Sequence, residues 1–126
     1  MELHTATISR VYTFEAAHRL PFVPEGHKCG RMHGHSYTVT VAVTGIVHHR
    51  SGMVMDFADI DTIVKPLIDT LDHRTLNDVI PNPTSELLAI HLWSKVSSVL
   101  DGDHDLAVTV SETARSSCTY SGPHHA

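Results

Sequence analysis

The chain has 126 residues, of which 41% are hydrophobic and 18% are charged, and its formal net charge is -5. This length supports one domain with its own core, and the composition excludes a disordered chain. The acidic balance argues against a nucleic-acid-binding surface, because such surfaces are normally basic.

The N-terminal residues and the apolar runs indicate where the protein acts. No apolar run approaches the ~20 residues of a membrane helix, and residues 1–4, Met-Glu-Leu-His, do not start a secretory signal. We therefore expect one cytoplasmic domain over residues 1–126 with no membrane partner. In that compartment, Cys29 and Cys118 are expected to be free thiols.

Two strands are predicted in the first third of the chain. Residues 6–20 are rich in β-branched and aromatic side chains, and residues 33–47 alternate more cleanly than any other segment. The loop between them, residues 21–32, contains prolines and glycines. A short third strand is expected at Met53–Met55, after a turn.

Two helices are predicted next. Asp56 is a candidate N-cap for the first, in which apolar residues repeat at helical spacing as far as Leu71. Pro66 lies inside that pattern, so we expect a kink or a break there. Thr84 is a candidate cap for a second helix that extends to about Leu100.

Further strands are predicted in the last third of the chain. Residues 101–103, Asp-Gly-Asp, should end the second helix, and residues 106–113 alternate as a strand does. Residues 118–120 could form a final short strand. The order of the main elements predicts an α+β fold, with a four-stranded antiparallel sheet and two helices on one of its faces.

Histidine is unusually frequent, with 12 residues against 9 Lys and Arg. His33 and His35 share one strand face, and His18 lies on the apolar side of the preceding strand. If these strands pair antiparallel, three imidazoles can meet and leave the open position of a catalytic zinc site. The alternative is two solvated histidines and one core histidine. Four others are expected to be solvated: His48, His49, His124 and His125.

Cys29 lies four residues before His33, in the loop that must join the two strands. It could be a fourth zinc ligand, a nucleophile or a general base, or it could be an inert loop thiol. Three of the nine basic residues, Arg19, Lys28 and Arg31, fall near this site. That bias favours an anionic substrate such as a phosphate ester.

Two further positions are candidates for chemistry. Asp72 and His73 are adjacent and could form an acid/base pair, although a capping or surface role for the aspartate is more common. Glu112 shares the apolar side of its strand and therefore needs a partner. That partner is either Arg115 or the N–H donors of a ligand such as a pterin or guanine.

Several longer motifs occur in order along the chain: FEAAHRL at 14–20, PEGHKCGRMHGH at 24–35, GMVMDF at 52–57, LDHRTLN at 71–77 and NPTSE at 82–86. With Glu112, Thr113 and Tyr120, this set resembles the 6-pyruvoyltetrahydropterin synthase superfamily over nearly the whole chain. The spacing from Cys29 to His33 is similar to that of its bacterial branch, the 6-carboxy-5,6,7,8-tetrahydropterin synthases of the queuosine pathway.

The resemblance implies a role for each candidate residue. Zinc would be held by three ligands, His18, His33 and His35. Proton transfer would fall to Cys29, Asp72 and His73, and the pterin would be anchored by Glu112. The implied architecture is the tunnelling fold, in which sheets from several subunits join into a barrel. The implied assembly is a homohexamer with active sites at subunit interfaces.

The implied substrate is 7,8-dihydroneopterin triphosphate, and the products are 6-carboxy-5,6,7,8-tetrahydropterin, acetaldehyde and triphosphate. No external redox cofactor is expected. Three alternatives stay open: the pyruvoyl-forming reaction on the same substrate, a role in a deazapurine natural-product pathway, and a non-catalytic zinc- or pterin-binding module. The module would need Cys29 as the fourth ligand and Asp72-His73 remote from the metal.

Overall fold

Five strands and two α-helices make up the computed structural model, which describes residues 2–100 and 102–124. The strands are β1 (Thr5–His18), β2 (His33–Ile46), β3 (Arg74–Thr75), β4 (Asp105–Thr113) and β5 (Ser116–Tyr120). The helices are α1 (Phe57–Asp69) and α2 (Ser85–Ser97). The strands form one sheet in the order β3-β1-β2-β4-β5, with β3 parallel to β1 and the other neighbours antiparallel.

The core lies between one face of this sheet and the two helices. Alternate residues of β1, β2 and β4 are buried there, as the two-residue period of a strand requires. They pack with apolar residues of both helices, which include Val64 and Leu92. The opposite face carries serine and threonine side chains, and α1 and α2 leave it uncovered. The predicted α+β class is therefore confirmed.

Both predicted helix caps are present. The Asp56 side chain accepts a hydrogen bond from the Ala58 N–H at 2.9 Å, and Thr84 Oγ1 accepts one from the Leu87 N–H at 3.0 Å. Each bond satisfies a backbone donor that has no partner within the helix. Within the described residues, no helix combines the length and apolar character that crossing a membrane requires.

The predicted disturbance at Pro66 does not interrupt α1, which continues to Asp69. Proline removes the N–H that would bond the Thr62 carbonyl, but both residues are exposed, so water can bond that carbonyl instead. The second helix ends at Ser97, three residues before its predicted end at Leu100. Residue 101 of the predicted stop lies outside the described residues.

The strand count differs from the prediction, because the sheet has five strands rather than four. The additional strand, β3, has only two residues and was too short to leave a sequence pattern. The strand predicted at Met53–Met55 is wrong. There, the Gly52 N–H bonds to the His48 carbonyl and the His48 N–H bonds to the Met53 carbonyl, which closes a turn on itself.

Candidate active site

Three histidines converge where β1 ends and β2 begins. His18 lies directly opposite His33 in the antiparallel ladder, and His35 shares their face of the sheet. The ring centroids are 4.5 Å apart for His18 and His33, 4.8 Å for His33 and His35, and 5.1 Å for His18 and His35. One nitrogen from each ring lies within 4.8 Å of the others. The predicted antiparallel pairing across the loop is thus confirmed, and it brings the three imidazoles together.

Backbone carbonyls orient two of these rings. His18 Nδ1 lies 2.8 Å from the Pro83 carbonyl oxygen, and His33 Nδ1 lies 2.7 Å from that of Arg31. A carbonyl can only accept, so each Nδ1 must carry the hydrogen and donate it. Each Nε2 is then left with a free lone pair, which is the arrangement found in metal-binding histidines.

The other side of the cluster has nitrogen atoms without partners. His18 is completely buried, and the Nε2 atoms of His18 and His35 have no hydrogen-bond partner among the described residues. Buried polar atoms are almost always paired, so these two nitrogens are suited to binding a cation as ligands. Three neutral imidazole nitrogens are a ligand set that zinc accepts. The residues therefore fit a metal ion.

The electrostatics of the cluster also suit a cation. Burial lowers the pKa of His35, and Coulomb repulsion from His18 and His33 lowers it further, while the negative charge of Glu112 acts in the opposite direction. A depressed pKa keeps the imidazole neutral at physiological pH, and only the neutral form can coordinate a metal.

Cys29 lies beside the cluster in a one-turn helix at residues 28–30. Its N–H donates to His27 Nδ1 at 3.0 Å, and its carbonyl accepts from the Leu20 N–H at 2.9 Å. The residue lines a cavity of about 490 Å³ together with the three histidines. Its sulfur is not among the ligand atoms that lie within 4.8 Å of one another. The geometry therefore places Cys29 in the same cavity but outside the group of ligand atoms.

Glu112 reaches the cluster from β4. Its carboxylate oxygens lie 3.9 Å from His18 Nε2 and 3.7 Å from His35 Nε2, and its side chain is 27% exposed. In the described part of the chain, no ion pair or hydrogen bond joins Glu112 to Arg115. Of the two partners considered from the sequence, the structure therefore gives this carboxylate a place in the cavity rather than the salt bridge.

Asp72 and His73 do form a pair. Asp72 Oδ1 lies 3.0 Å from His73 Nδ1 and accepts the Glu15 N–H at 2.9 Å, while the His73 N–H donates to the Glu15 carbonyl at 2.6 Å. The Glu15 hydrogen bond, followed by the His73 contact, lowers the pKa of Asp72. These bonds hold His73 at φ 58°, a left-handed conformation that is unusual outside glycine.

The pair lies away from Cys29 within one chain. His73 lines a second cavity, of about 520 Å³, with Glu15 and Ser36, whose side chains belong to the uncovered face of the sheet. Among the described residues, the two cavities share only Gly34 and His35. The structure therefore does not bring Asp72 and His73 together with the other predicted site residues in a single copy.

The basic residues are divided between neighbouring cavities. Lys28 lines the cavity that contains Cys29. Arg19 and Arg31 line an adjacent cavity in the loop, together with His27. Of the three basic residues that the sequence grouped together, Lys28 therefore lines the cavity of the histidines, and Arg19 and Arg31 line the adjacent one.

Sequence reasoning missed Tyr37. This residue is completely buried, and its ring centroid lies 5.5 Å from that of His35 and 5.9 Å from that of His18. Its hydroxyl has no hydrogen-bond partner among the described residues. The signal was present, because Tyr37 shares strand parity with His33 and His35, but that parity is equally typical of an ordinary core aromatic.

Comparison with known proteins places this site in context. The family model described as 6-pyruvoyl tetrahydropterin synthase matches residues 7–123. The chain is 39% identical to the 6-carboxy-5,6,7,8-tetrahydropterin synthase of Synechocystis sp., covering 92% of this chain and 93% of that protein. It is 33% identical to the dihydroneopterin monophosphate aldolase of Pyrococcus furiosus, covering 72% and 75%.

A solved structure extends the similarity to the whole fold. The 6-pyruvoyl tetrahydropterin synthase of Caenorhabditis elegans superposes with a TM-score of 0.85 at 32% identity, covering 98% of this chain and 99% of that one. The five-stranded sheet with two helices is therefore the tunnelling fold of those enzymes. In a single copy of the chain, this sheet is open, with β3 and β5 at its edges.

Proposed function

The chain belongs to the 6-pyruvoyl tetrahydropterin synthase family, and from that premise we propose that it is a zinc-dependent carbon–carbon lyase. It converts 7,8-dihydroneopterin triphosphate and water into 6-carboxy-5,6,7,8-tetrahydropterin, acetaldehyde and triphosphate, as a step of queuosine biosynthesis. One observation carries the proposal: three imidazoles whose nitrogens converge share a single cavity with Cys29 and Glu112.

Two observations favour the carboxy product within this family. The Synechocystis relative that covers most of the chain bears that name. In addition, Cys29 precedes His33 by four residues, the spacing that led the sequence to resemble the bacterial branch. The whole chain, residues 1–126, is then one 6-carboxytetrahydropterin synthase-like domain.

The proposed ligands of the metal are His18, His33 and His35. When bound, zinc would supply a Lewis acid beside the three-carbon side chain of the substrate. Cys29, as a thiolate in the same cavity, accepts a proton from that side chain. The cavity also contains Lys28, whose positive charge favours the binding of phosphates.

Glu112 is the proposed anchor for the pterin ring. The ring's amino group and neighbouring N–H form a pair of parallel donors, and a carboxylate accepts such a pair with both oxygens. The two Glu112 oxygens lie at the histidine cluster, each near a different imidazole. Anchoring the ring at this carboxylate therefore keeps the side chain of the substrate near the metal ligands.

Asp72 and His73 complete the proposed chemistry from a second copy. Their hydrogen-bonded pair is suited to moving protons, but it faces a different cavity from Cys29 in one chain. The sheet has two open edges, and open edges are commonly closed by pairing with another chain. We therefore propose a homohexamer in which each active site takes Cys29 from one subunit and His73 from its neighbour.

Two other functions have some support. The pyruvoyl-forming reaction on the same substrate is favoured by the close superposition with the Caenorhabditis elegans enzyme. A non-catalytic binding module meets one of its two requirements, because Asp72 and His73 lie away from the cluster in one chain. It fails the other, because the Cys29 sulfur lies outside the group of ligand atoms.

The deciding experiment follows all products of one reaction. The purified protein, first stripped with a chelator and then reloaded with zinc, is incubated with 7,8-dihydroneopterin triphosphate and examined by mass spectrometry. Zinc-dependent formation of the carboxy pterin with equimolar acetaldehyde supports the proposal. Triphosphate release without acetaldehyde identifies the pyruvoyl-forming reaction, and binding without triphosphate release identifies a module.

A further inference from the structure

Three buried polar atoms have no hydrogen-bond partner among the described residues: His18 Nε2, His35 Nε2 and the Tyr37 hydroxyl. All three belong to one group of contacting rings. The metal ion proposed above accounts for the two nitrogens but leaves the hydroxyl unexplained. A completely buried hydroxyl without a partner is unfavourable, so a state of the site in which a neighbouring group accepts its hydrogen would be more stable.

The Tyr37 ring cannot swing toward another partner. It stacks on Phe14 with a centroid distance of 4.8 Å and an interplanar angle of 7°, and the imidazoles of His18 and His35 contact it nearly at right angles. A ring held on several sides keeps its hydroxyl in one place. The hydrogen-bond partner must therefore come to the hydroxyl.

Glu112 is the neighbour that can do so. Thr38 is paired with Ser111 in the β2–β4 ladder, so continuing this register by one residue sets Tyr37 opposite Glu112. Both side chains are on the helix-covered face, where cross-strand neighbours interact directly. In the described part of the chain, the carboxylate accepts no hydrogen bond. Its distances to His18 and His35 are 3.9 and 3.7 Å, longer than a hydrogen bond.

We propose that Tyr37 is a positioning residue whose hydroxyl donates to the Glu112 carboxylate once the three imidazoles hold their metal ion. A rotation of the partly exposed Glu112 side chain would join an unpaired donor to an unpaired acceptor on the neighbouring strand. The bond fixes one edge of the carboxylate and leaves its remaining lone pairs for the N–H donors of a ligand. The metal ion and the identity of that ligand, a pterin, rest on the proposed function.

Removal of the Tyr37 hydroxyl should have different effects in the metal-free and the zinc-loaded protein. Tyr37→Phe keeps the ring and its stacking, and in the free protein it removes only an unpaired hydroxyl, so the melting temperature should stay the same or rise. In the zinc-loaded protein the same change removes a hydrogen bond to a charged group. The affinity for a pterin should then fall roughly tenfold to a hundredfold.

The test is a double-mutant cycle on the full chain. Wild type, Tyr37→Phe, Glu112→Gln and the double variant are loaded with zinc, checked for metal content and titrated with 7,8-dihydroneopterin. We expect the double variant to bind no more weakly than Glu112→Gln alone, because the hydroxyl acts through the carboxylate. Tyr12→Phe is the matched control. Its hydroxyl already donates to Asp61 at 2.6 Å, so it should lose stability and keep its pterin affinity.

Two results would overturn the inference. Additive losses in the cycle would show that Tyr37 and Glu112 act independently, and a lower melting temperature for metal-free Tyr37→Phe would show that the hydroxyl is already paired. If the wild type binds no pterin, the proposed function fails by itself. The same cycle is then read from thermal unfolding of the zinc-loaded variants, where coupling between the two residues supports the pair and its absence refutes it.

Discussion

Replacing Cys29 by alanine tests whether this thiol acts on the substrate or holds the metal. The substitution removes the sulfur but keeps both hydrogen bonds of the residue, because they are made by its backbone N–H and carbonyl. The loop should therefore keep its shape. Because the sulfur lies outside the group of mutually close ligand atoms, the variant should also keep its zinc.

The expected loss is in turnover. A positioned general base contributes roughly a hundredfold to ten-thousandfold to the rate, so kcat should fall by about that factor. KM should change by only a few-fold, because the proposed pterin anchor is Glu112, which lies on β4. The thiol is only half-buried, so the free energy of unfolding should change by less than about 1 kcal/mol.

The assay combines steady-state triphosphate release with metal analysis of the same samples. Cys118→Ala is a matched control, because it removes the other half-buried free thiol, which lies on β5 and does not line the Cys29 cavity. It should keep full activity. If Cys29→Ala loses its zinc, the thiol is a structural ligand, and if it keeps its turnover, another group is the base. Either result refutes the role proposed here.

Two further predictions concern carboxylates. Glu112→Gln should weaken pterin binding by roughly 2–5 kcal/mol while zinc content stays unchanged, measured by titration and metal analysis; unchanged affinity would exclude Glu112 as the anchor. Asp61 accepts hydrogen bonds from Tyr12 and Arg10, which lower its pKa in that order. A lowered pKa stabilises the fold above about pH 4 and loses that effect as the pH falls through the folded value. Asp61→Asn should therefore lower the melting temperature by more at pH 7 than at pH 2, whereas an equal loss at both would contradict this linkage.

Much of the fold follows from patterns within single elements. The clean alternation of residues 33–47 predicted β2, and the caps Asp56 and Thr84 located the starts of both helices, because each signal lies within a few residues of its effect. The histidine cluster was also predictable. It needed one long-range assumption, the antiparallel pairing of two strands joined by a loop, and neighbouring strands commonly pair in this way.

The remaining features depend on contacts that no local pattern contains. The short strand β3 pairs with Ala16 and Ala17 of β1, which are far away in sequence. Next to this pairing, Asp72 and His73 bond the backbone of Glu15. The position of Glu112 in the alternating pattern of its strand correctly predicted the face of the sheet on which it lies. The pattern could not show whether imidazoles or Arg115 would lie next to it. The unpaired hydroxyl of Tyr37 becomes visible only when every neighbour of its ring is known.

The separation of Cys29 from His73 leads to a prediction about mixed assemblies. Within one chain, the two residues line different cavities, and the His73 cavity belongs to the uncovered face of the sheet. If an active site takes Cys29 from one subunit and His73 from another, the two substitutions affect different subunits of that site. Cys29→Ala removes the thiol from one subunit, and His73→Ala removes the imidazole from the other. Each variant alone should then be nearly inactive, because every one of its sites lacks one of the two groups.

Co-expression of the two variants should restore activity. In a random assembly with equal amounts of each chain, about a quarter of the sites combine an intact Cys29 with an intact His73, so activity should approach about a quarter of the wild-type value. Co-expression of Cys29→Ala with the double variant Cys29→Ala/His73→Ala is the control, because no site in that mixture contains the thiol. If both variants are inactive and their mixture is as inactive as they are, both residues act within one chain. If His73→Ala alone keeps its activity, His73 does not act in the reaction. Either result refutes the shared site proposed here.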